Sequence, residues 1–342
     1  MRFQHVAAMV AGFALDAAFG DPHGWPHPVR LVGKQIELEE KIIDRYVLSE
    51  LEEAGDSWPL DRAQTERLAG AALAGDVVLL SPLAVFLLLK AAQKVHPALS
   101  LAVESVLCYQ LLAARSLRDE SMRVHDALVR DDVEGAREAV AMIVGRDTDA
   151  LDEQGIARAA VETVAENASD GVVGPLLAMG VAGAPGAMAY KAVNTLDSMV
   201  GYKNERYKNL GWASAKLDDA VNIVPARVAG VLMCAAAKVT GLDAKGAFKI
   251  FMRDRLNHAS PNSAHTEAAC AGALGVQLGG GNVYFGEYVE KPTIGDDDRP
   301  IEAEDIDRAN KLMYGTAALG LGLAAAIGIA RGILGGRAKG RR

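Results

Sequence analysis

Residues 171–190 read GVVGPLLAMGVAGAPGAMAY, an uncharged stretch bounded by Asp170 and Lys191. A membrane-spanning helix needs ~20 mostly apolar residues, because it rises about 1.5 Å per residue through a hydrocarbon core of about 30 Å. The stretch therefore predicts a transmembrane helix, and it indicates that the chain is a membrane protein.

Four further stretches match this pattern with interruptions. They lie at 69–89 with Asp76 inside, at 98–114 with Glu104 inside, at 220–239 with Arg227 inside, and at 314–330. Gly and Ala recur at close spacing in the last, which favours tight helix packing in lipid. We predict an all-α, polytopic integral membrane helix bundle with roughly four to six spans and amphipathic surface helices. The alternative is a large soluble helical protein, because several stretches are short or carry a charge.

Composition agrees with spans separated by polar loops. Half of the 342 residues are apolar, 23% are charged, and the net charge is -8. This charge argues against a nucleic-acid surface, since phosphate binding needs clustered Lys and Arg. The three cysteines lie far apart, so they predict neither a disulfide framework nor a zinc site. No repeat or linker divides the chain, and we treat residues 1–342 as one domain.

The two ends of the chain carry further signals. The apolar run at 6–19 follows an Arg, but Asp16 interrupts it, so we predict a retained first helix rather than a signal peptide. The C-terminal GRAKGRR, 336–342, predicts a cytoplasmic C-terminus by the positive-inside rule. Together with the spans, it predicts a multi-pass protein of the cell membrane.

Four polar blocks adjoin the apolar stretches. Polar groups in poorly solvated sequence cost free energy unless they are paired, so such placement indicates a functional site. The first block, 20–33, reads GDPHGWPHPVRLVG, and its prolines forbid a regular helix. It holds Asp21, His23, His27 and Arg30. A Pro-rich turn that caps a helix is the alternative interpretation.

The second block, 161–175, reads VETVAENASDGVVGP. Glu162, Glu166 and Asp170 recur every four residues, which predicts three carboxylates on one helical face. Like charges at this spacing repel one another by a few tenths of a kcal/mol per pair, roughly, and Mg²⁺ would relieve the repulsion. A solvated acidic helix end is the alternative interpretation.

The third block, 190–227, is the densest. Adjacent acids with a nearby amide can hold Mg²⁺, whereas Lys and Arg can hold phosphate, so the block predicts a metal-phosphate site. Arg227 lies inside an apolar run, at a cost of roughly 2.5 to 3.5 kcal/mol on insertion scales, so it should face a partner or a wet cavity. The polar residues are Lys191, Asn194, Ser198, Lys203, Arg206, Asp218, Asp219 and Asn222.

The fourth block, 253–286, is broken by Pro261. Its polar residues are Arg253, Arg255, Asn257, Ser260, Asn262, Ser263, His265 and Glu267. His265 has the chemistry of a proton shuttle, and a buried core histidine is the alternative interpretation. The glycines at 279–281 offer backbone amides but lack the GK[ST] of a phosphate loop.

Together the blocks resemble the adenosylcobinamide-phosphate synthase family, the CobD or CbiB membrane proteins of cobalamin biosynthesis. The segments that carry the resemblance are GDPHGWPHPVRLVG, ETVAENASDGVVGPLL, YKAVNTLDSMVGYKNERY with LDDAVNIVPAR, and SPNSAHTEAACAGALGVQLGG. They occur in the family's order, whereas 36–161 and the acidic tail carry little of the resemblance. This sequence departs from the family pattern at His265-Thr266-Glu267, where His-Pro-Glu is expected. The difference concerns the local backbone geometry.

The resemblance implies an ATP-dependent acid-amine ligase. The enzyme would join adenosylcobyric acid to (R)-1-amino-2-propanol O-2-phosphate, or to aminopropanol, through an amide bond. ATP would convert the carboxylate, a poor electrophile, into an acyl phosphate, and Mg²⁺ would accompany ATP. No P-loop or ATP-grasp signature is present, so ATP as co-substrate rests on the resemblance alone.

The resemblance also suggests roles for particular residues. The expected metal ligands are Glu166, Asp170, Asp218 and Asp219. The expected catalytic residues are His27, Glu166, Lys191 and His265, with His27 or His265 as the base for the attacking ammonium. The expected substrate- and phosphate-binding residues are Asp21, Arg30, Asn167, Asn194, Lys203, Asn204, Arg206, Arg227 and Asn262.

Two other functions stand beside the ligase. A Mg²⁺-dependent prenyl or phospho-alcohol transferase would set Asp218 and Asp219 against a diphosphate, but ENASD, 166–170, is a poor match for the second acidic motif it needs. A transporter or a non-catalytic corrinoid-binding assembly subunit would also carry intramembrane charge, although the two halves of the chain show no repeat. The expected partners are the corrinoid, the amine and the bilayer, with a homo-oligomer or other corrin-pathway enzymes compatible with the sequence.

Overall fold

The structure, a computed structural model, describes residues 3–21, 24–54, 59–284 and 286–339. Within these ranges the helices are α1 (Gln4–Phe19), α2 (Pro28–Ile43), α3 (Ser49–Ala54), α4 (Arg62–Val95), α5 (Pro97–Gln110), α6 (Ala114–Val129), α7 (Val133–Ala141), α8 (Glu153–Asn167), α9 (Gly174–Val200), α10 (Trp212–Val221), α11 (Ile223–Val239), α12 (Ala244–Asp254), α13 (Ala264–Leu274) and α14 (Glu304–Lys339). Two π-helical segments, Asp44–Leu48 and Ala168–Val173, follow α2 and α8.

Four helical segments are long and apolar enough to cross a membrane: Arg62–Val95, Pro97–Val129, Glu153–Val200 and Glu304–Leu334. The pair α10 and α11, bent by 44°, makes a fifth if it counts as one span. The predicted all-α bundle with roughly four to six spans is therefore confirmed. The retained first helix is present as α1.

The uncharged predicted span, 171–190, is broken inside α9. Gly183 has a φ of 67° inside α9, and Pro185 follows it, so the helix changes direction there. The freed amide of Ala184 donates to Oε1 of Glu104 at 3.5 Å, and Glu104 also pairs with His5. Glu104 is 0% exposed. The helix break and the pairing with α1 thus explain how a carboxylate is accommodated inside an apolar helix.

Replacing Gly183 by Ala should destabilise the bundle by at least about 2 kcal/mol, because L residues rarely adopt this φ. An added Cβ would also lie 2.5 Å from Nδ1 of His5 and 2.7 Å from Oε1 of Glu104. The matched control is Gly75→Ala, since Gly75 lies in α4 with nothing within 4 Å of its Cβ position. Thermal unfolding in detergent measures both, and equal midpoints for the two variants would contradict this account.

All residues of helix α13 are buried. Its small side chains let α11 and α12 approach closely. Its Cys270, like Cys108 and Cys234, is a buried free thiol.

Two short antiparallel strand pairs follow α13 along the chain. β1 (Leu278–Gly279) pairs with β4 (Thr293–Ile294), and β2 (Asn282–Tyr284) pairs with β3 (Glu287–Val289). β1 contacts α8 and α13, so this region packs against the helices that carry the second and fourth polar blocks.

Two predictions concern residues at the limits of the description. His23 of the first polar block lies outside the described residues, as do 340–342 of the basic C-terminal tail. The side chains of 336–339 also lie outside the description, so the predicted cytoplasmic C-terminus stays a prediction.

Candidate functional site

The second polar block does not continue as one regular helix. α8 ends at Asn167, and the π-helical segment Ala168–Val173 carries Asp170. Glu162 and Glu166 lie one turn apart in α8, so the predicted spacing keeps these two carboxylates on one face, and Asp170 follows in the π-helical segment. Glu162 pairs with Arg146, whereas Oε1 of Glu166 accepts a hydrogen bond from Ser263 at 2.7 Å. The three predicted carboxylates therefore have separate partners.

Asp170 belongs to a second group, which we call the Lys191 cluster: Asp170, Lys191, Asn194 and Asp218. The charges of Asp170 and Asp218 act on the Lys191 ammonium. Nδ2 of Asn194 donates to Oδ1 of Asp218 at 2.7 Å, while Oδ1 of Asn194 is buried and has no hydrogen-bond partner in the described part of the chain. The second and third blocks thus meet around one lysine, with one amide oxygen left unsatisfied.

The fourth block joins this group through Asn262. Its Nδ2 donates to the backbone oxygen of Asp219 at 2.9 Å, and its Oδ1 accepts from Arg227 at 3.4 Å. The Arg227 guanidinium also donates to the backbone oxygen of Ile223 at 2.7 Å. The predicted partner for this arginine is therefore present, and it is an amide held against the Asp218–Asp219 pair.

The first block is linked to the Lys191 cluster through His27. His27 caps α2, with Nδ1 accepting from the amide of Val29 at 3.3 Å, so the capping interpretation describes its local role. Its Nε2 lies 3.5 Å from Oδ2 of Asp21. Burial lowers the pKa of His27, with Arg30 and Lys191 acting in the same direction and Asp21 against them. All four polar blocks therefore meet near the Lys191 cluster.

The loop 201–211 borders a cavity of about 480 Å³, which we call the loop cavity. Its cationic lining residues are Arg67, Lys203, Lys208 and Lys216, and Asp197 and Asp219 line it as well. Of the predicted phosphate-binding residues in this loop, Lys203 thus faces a cavity.

The other two polar residues predicted in this loop make scaffold contacts. Oδ1 of Asn204 accepts from the amide of Tyr207 at 2.9 Å. Arg206 pairs with Asp44 at 2.7 Å and with Glu40 at 3.7 Å, which fastens the loop to α2 and the segment that follows it. Their predicted role in phosphate binding stays a prediction.

His265 has the character of a core histidine. It is 1% exposed and stands edge-on to Phe251, with ring centroids 6.1 Å apart. Burial lowers its pKa, and the nearby Arg227 adds to the effect. A neutral imidazole in this position can accept a proton. Its buried Nδ1 has no hydrogen-bond partner among the described residues.

A second, smaller cavity of about 150 Å³ lies between α8, α13 and the strand pairs, and we call it the small cavity. Its charged and polar lining residues are Arg146, Glu162, Glu166, Asn167, His258, Glu267, Asn282 and Lys291. Sequence reasoning missed Arg146, His258 and Lys291 as site residues. No spacing signal marks them, because they lie on irregular segments that tertiary packing brings to α8 and α13.

The Lys191 cluster fits Mg²⁺ as a partial ligand set. The described residues contain no group of three or more His, Cys, Asp or Glu that could hold a metal. Mg²⁺ is commonly held by one or two carboxylates together with substrate phosphates, rather than by an all-protein cage. Asp218, Asp170 and the unpartnered oxygen of Asn194 supply such oxygens beside the cationic loop cavity.

Comparisons with known proteins agree with the sequence resemblance. The family model described as CobD/Cbib protein matches residues 9–313. The chain is 50% identical over 319 residues to "Cobalamin biosynthesis protein CobD" of Geobacter metallireducens, covering 93% of this chain and 95% of that protein. It is 43% identical over 314 residues to the protein of the same name from Clostridium perfringens, covering 92% and 95%.

A relative with the other family name is similarly close. "Cobalamin biosynthesis protein CbiB" of Salmonella typhimurium is 44% identical over 326 residues, covering 95% of this chain and 98% of that protein. No solved structure matches the chain. Since the family model spans both the helical bundle and the four polar blocks, the chain belongs to the CobD/CbiB protein family.

Proposed function

We propose that this protein acts in cobalamin biosynthesis as an ATP-dependent ligase, joining adenosylcobyric acid to (R)-1-amino-2-propanol O-2-phosphate or to aminopropanol. The names of its relatives support the pathway. The observation that carries the reaction type is the convergence of four polar blocks on the Lys191 cluster, beside a cavity lined by four cations.

The arrangement suits phosphoryl transfer followed by amide formation. In the first step the substrate carboxylate attacks the terminal phosphorus of ATP, and ADP leaves with the electron pair of the broken P–O bond. In the second step the amine attacks the acyl phosphate, inorganic phosphate leaves, and the nitrogen gives up a proton. Both steps place negative charge on phosphoryl oxygens, which fixed cations stabilise.

The loop cavity is the proposed site for the phosphates of ATP. Lys203, Lys208 and Lys216 supply positive charge, while the exposed rings of Tyr202 and Trp212 border the same cavity and offer flat apolar faces. Mg²⁺, held by Asp218, Asp170 and Asn194, would neutralise charge on the transferring phosphoryl group. Lys191, whose charge interacts with both carboxylates, would limit their mutual repulsion.

The reaction itself is the first test. Detergent-purified protein should convert adenosylcobyric acid to a product of the expected mass only when ATP, Mg²⁺ and one of the two amines are present. Chelation of Mg²⁺ with EDTA should abolish the product, and ADP should appear in step with it. Mass spectrometry and nucleotide analysis measure both. Tight corrinoid binding by folded protein with no product from either amine would instead identify a non-catalytic assembly subunit.

The location proposed for the protein is the cell membrane, as a multi-pass protein with a cytoplasmic C-terminus. The apolar helices support the membrane, and the basic sequence at 336–342 supports the orientation.

A further inference from the structure

Glu267 is a buried carboxylate without a partner. It lies in the first turn of α13 and is 5% exposed, and its remaining surface lines the small cavity. Within the described ranges its carboxylate makes neither a hydrogen bond nor an ion pair, and the charges that act on it come from Glu166, Glu162, Lys291 and Arg146. An unpaired buried carboxylate is costly, so its presence in a cavity wall indicates a ligand that pairs with it.

The other walls of the small cavity carry both signs of charge. Arg146 and Glu162 pair with each other, and the Glu162 carboxylate also accepts from the amide of Gly279 at 2.7 Å. Lys291 and His258 line the same cavity, and the charge of Lys291 acts on His258. The cavity wall therefore carries a carboxylate, Glu267, that can pair with a cation and basic groups that can pair with an anion.

The volume limits the ligand to a small molecule. About 150 Å³ holds on the order of ten water-sized groups. A nucleotide or a corrinoid is far larger, whereas a short amino alcohol or its phosphate ester has this size. Its ammonium and phosphate also match the two signs of charge in the walls.

The small cavity adjoins the proposed reaction centre through Glu166. This residue lines the cavity, accepts a hydrogen bond from Ser263 at 2.7 Å, and acts electrostatically on Asp170 of the Lys191 cluster. A molecule in the cavity would therefore lie next to Glu166, whose charge acts on the Lys191 cluster.

We propose that the small cavity binds the amine substrate, with the Glu267 carboxylate holding the ammonium and Lys291 holding the phosphate when the amine is phosphorylated. The assignment rests on the proposed function for the identity of the amine. Burial, together with the charges of Glu166 and Glu162, raises the pKa of Glu267, and a bound ammonium would offset that repulsion.

Direct binding tests the cavity without the reaction. Calorimetry of detergent-purified protein, with neither ATP nor corrinoid, should show saturable binding of aminopropanol phosphate. Glu267→Gln, which keeps the shape of the side chain, should weaken this binding at least tenfold. The control Glu287→Gln, on exposed β3, should bind as the wild type does. Lys291→Met should weaken binding of aminopropanol phosphate and leave binding of aminopropanol unchanged.

Turnover separates the two proposals. If the wild type forms the amide, Glu267→Gln should raise KM for the amine at least tenfold and leave KM for ATP and for adenosylcobyric acid unchanged. An unchanged amine KM and affinity in folded Glu267→Gln protein would overturn the cavity assignment while the ligase stands. If the wild type binds the amine, Glu267→Gln binds it weakly, and the wild type still forms no product, the cavity assignment stands and the ligase proposal is rejected. A wild type that binds neither amine would overturn the assignment.

Discussion

Replacing Asp218 by Asn is expected to lower kcat by roughly 10²- to 10³-fold, the loss seen when one preorganised electrostatic group is removed from a reaction centre. Oδ1 of Asp218 accepts from Asn194 at 2.7 Å, and its charge acts on Lys191, so the neutral amide removes both a proposed Mg²⁺ ligand and a counter-charge. The nearly identical shape of Asn leaves the packing of α10 in place. Steady-state kinetics at saturating ATP and corrinoid measure the loss.

The control for this variant is Asp126→Asn. Asp126 is an exposed residue of α6 whose carboxylate pairs with His125 at 2.9 Å, away from the Lys191 cluster. Corrinoid affinity should be the same in the wild type and in both variants. Normal turnover by Asp218→Asn would reject the Lys191 cluster as the phosphoryl-transfer centre, whereas lost turnover together with lost corrinoid binding would indicate a binding role for Asp218.

Replacing Arg146 by Met should cost roughly 3 to 5 kcal/mol of stability, because it leaves the buried carboxylate of Glu162 without its counter-charge. The side chains of Arg146 and Glu162 are only 9% and 11% exposed, so water in the small cavity replaces the missing counter-charge only in part. The pair joins the segment before α8 to α8 itself, and Glu162 also holds the amide of Gly279 in β1. Denaturant unfolding in detergent measures the change.

A double variant separates charge from packing. Arg146→Met combined with Glu162→Gln removes both charges while Gln can still accept from the Gly279 amide, so most of the lost stability should return. Double-variant stability no better than that of Arg146→Met would show that the aliphatic stem and hydrogen bonds of Arg146, rather than its charge, stabilise the region.

The helical architecture could be predicted from the sequence because a bilayer permits few backbone structures. An uncharged run such as 171–190 has few alternatives to a spanning helix, because lipid offers no partner for exposed backbone groups. The break at Gly183 was not predicted. It depends on Glu104, which lies 79 positions earlier and reaches the freed amide of Ala184 only in the folded bundle. The same contact accounts for the charge that interrupts the 98–114 stretch.

The sequence predicted that the polar blocks form one site, but it did not predict which partner each of their residues takes. The four-residue spacing of Glu162, Glu166 and Asp170 predicted one acidic face, but it did not predict that Glu162 pairs with Arg146, that Glu166 accepts from Ser263, or that Asp170 acts on Lys191. Arg206 was predicted to bind phosphate, and in the structure it pairs with Asp44 of a distant helical segment. Local spacing indicates which residues share a helical face, whereas tertiary contacts determine which partner each of them takes.

Membrane class, helical architecture and family could be read from the chain alone, because hydropathy and ordered motifs are properties of contiguous residues. The division of the polar residues into a Lys191 cluster, a loop cavity and a small cavity could not. It arises where α8, α9, α10 and α13 meet, and residues such as Arg146 and Lys291 enter only because distant segments pack there. Tertiary packing decides which buried charge finds a partner, and it leaves the Glu267 carboxylate without one among the described residues.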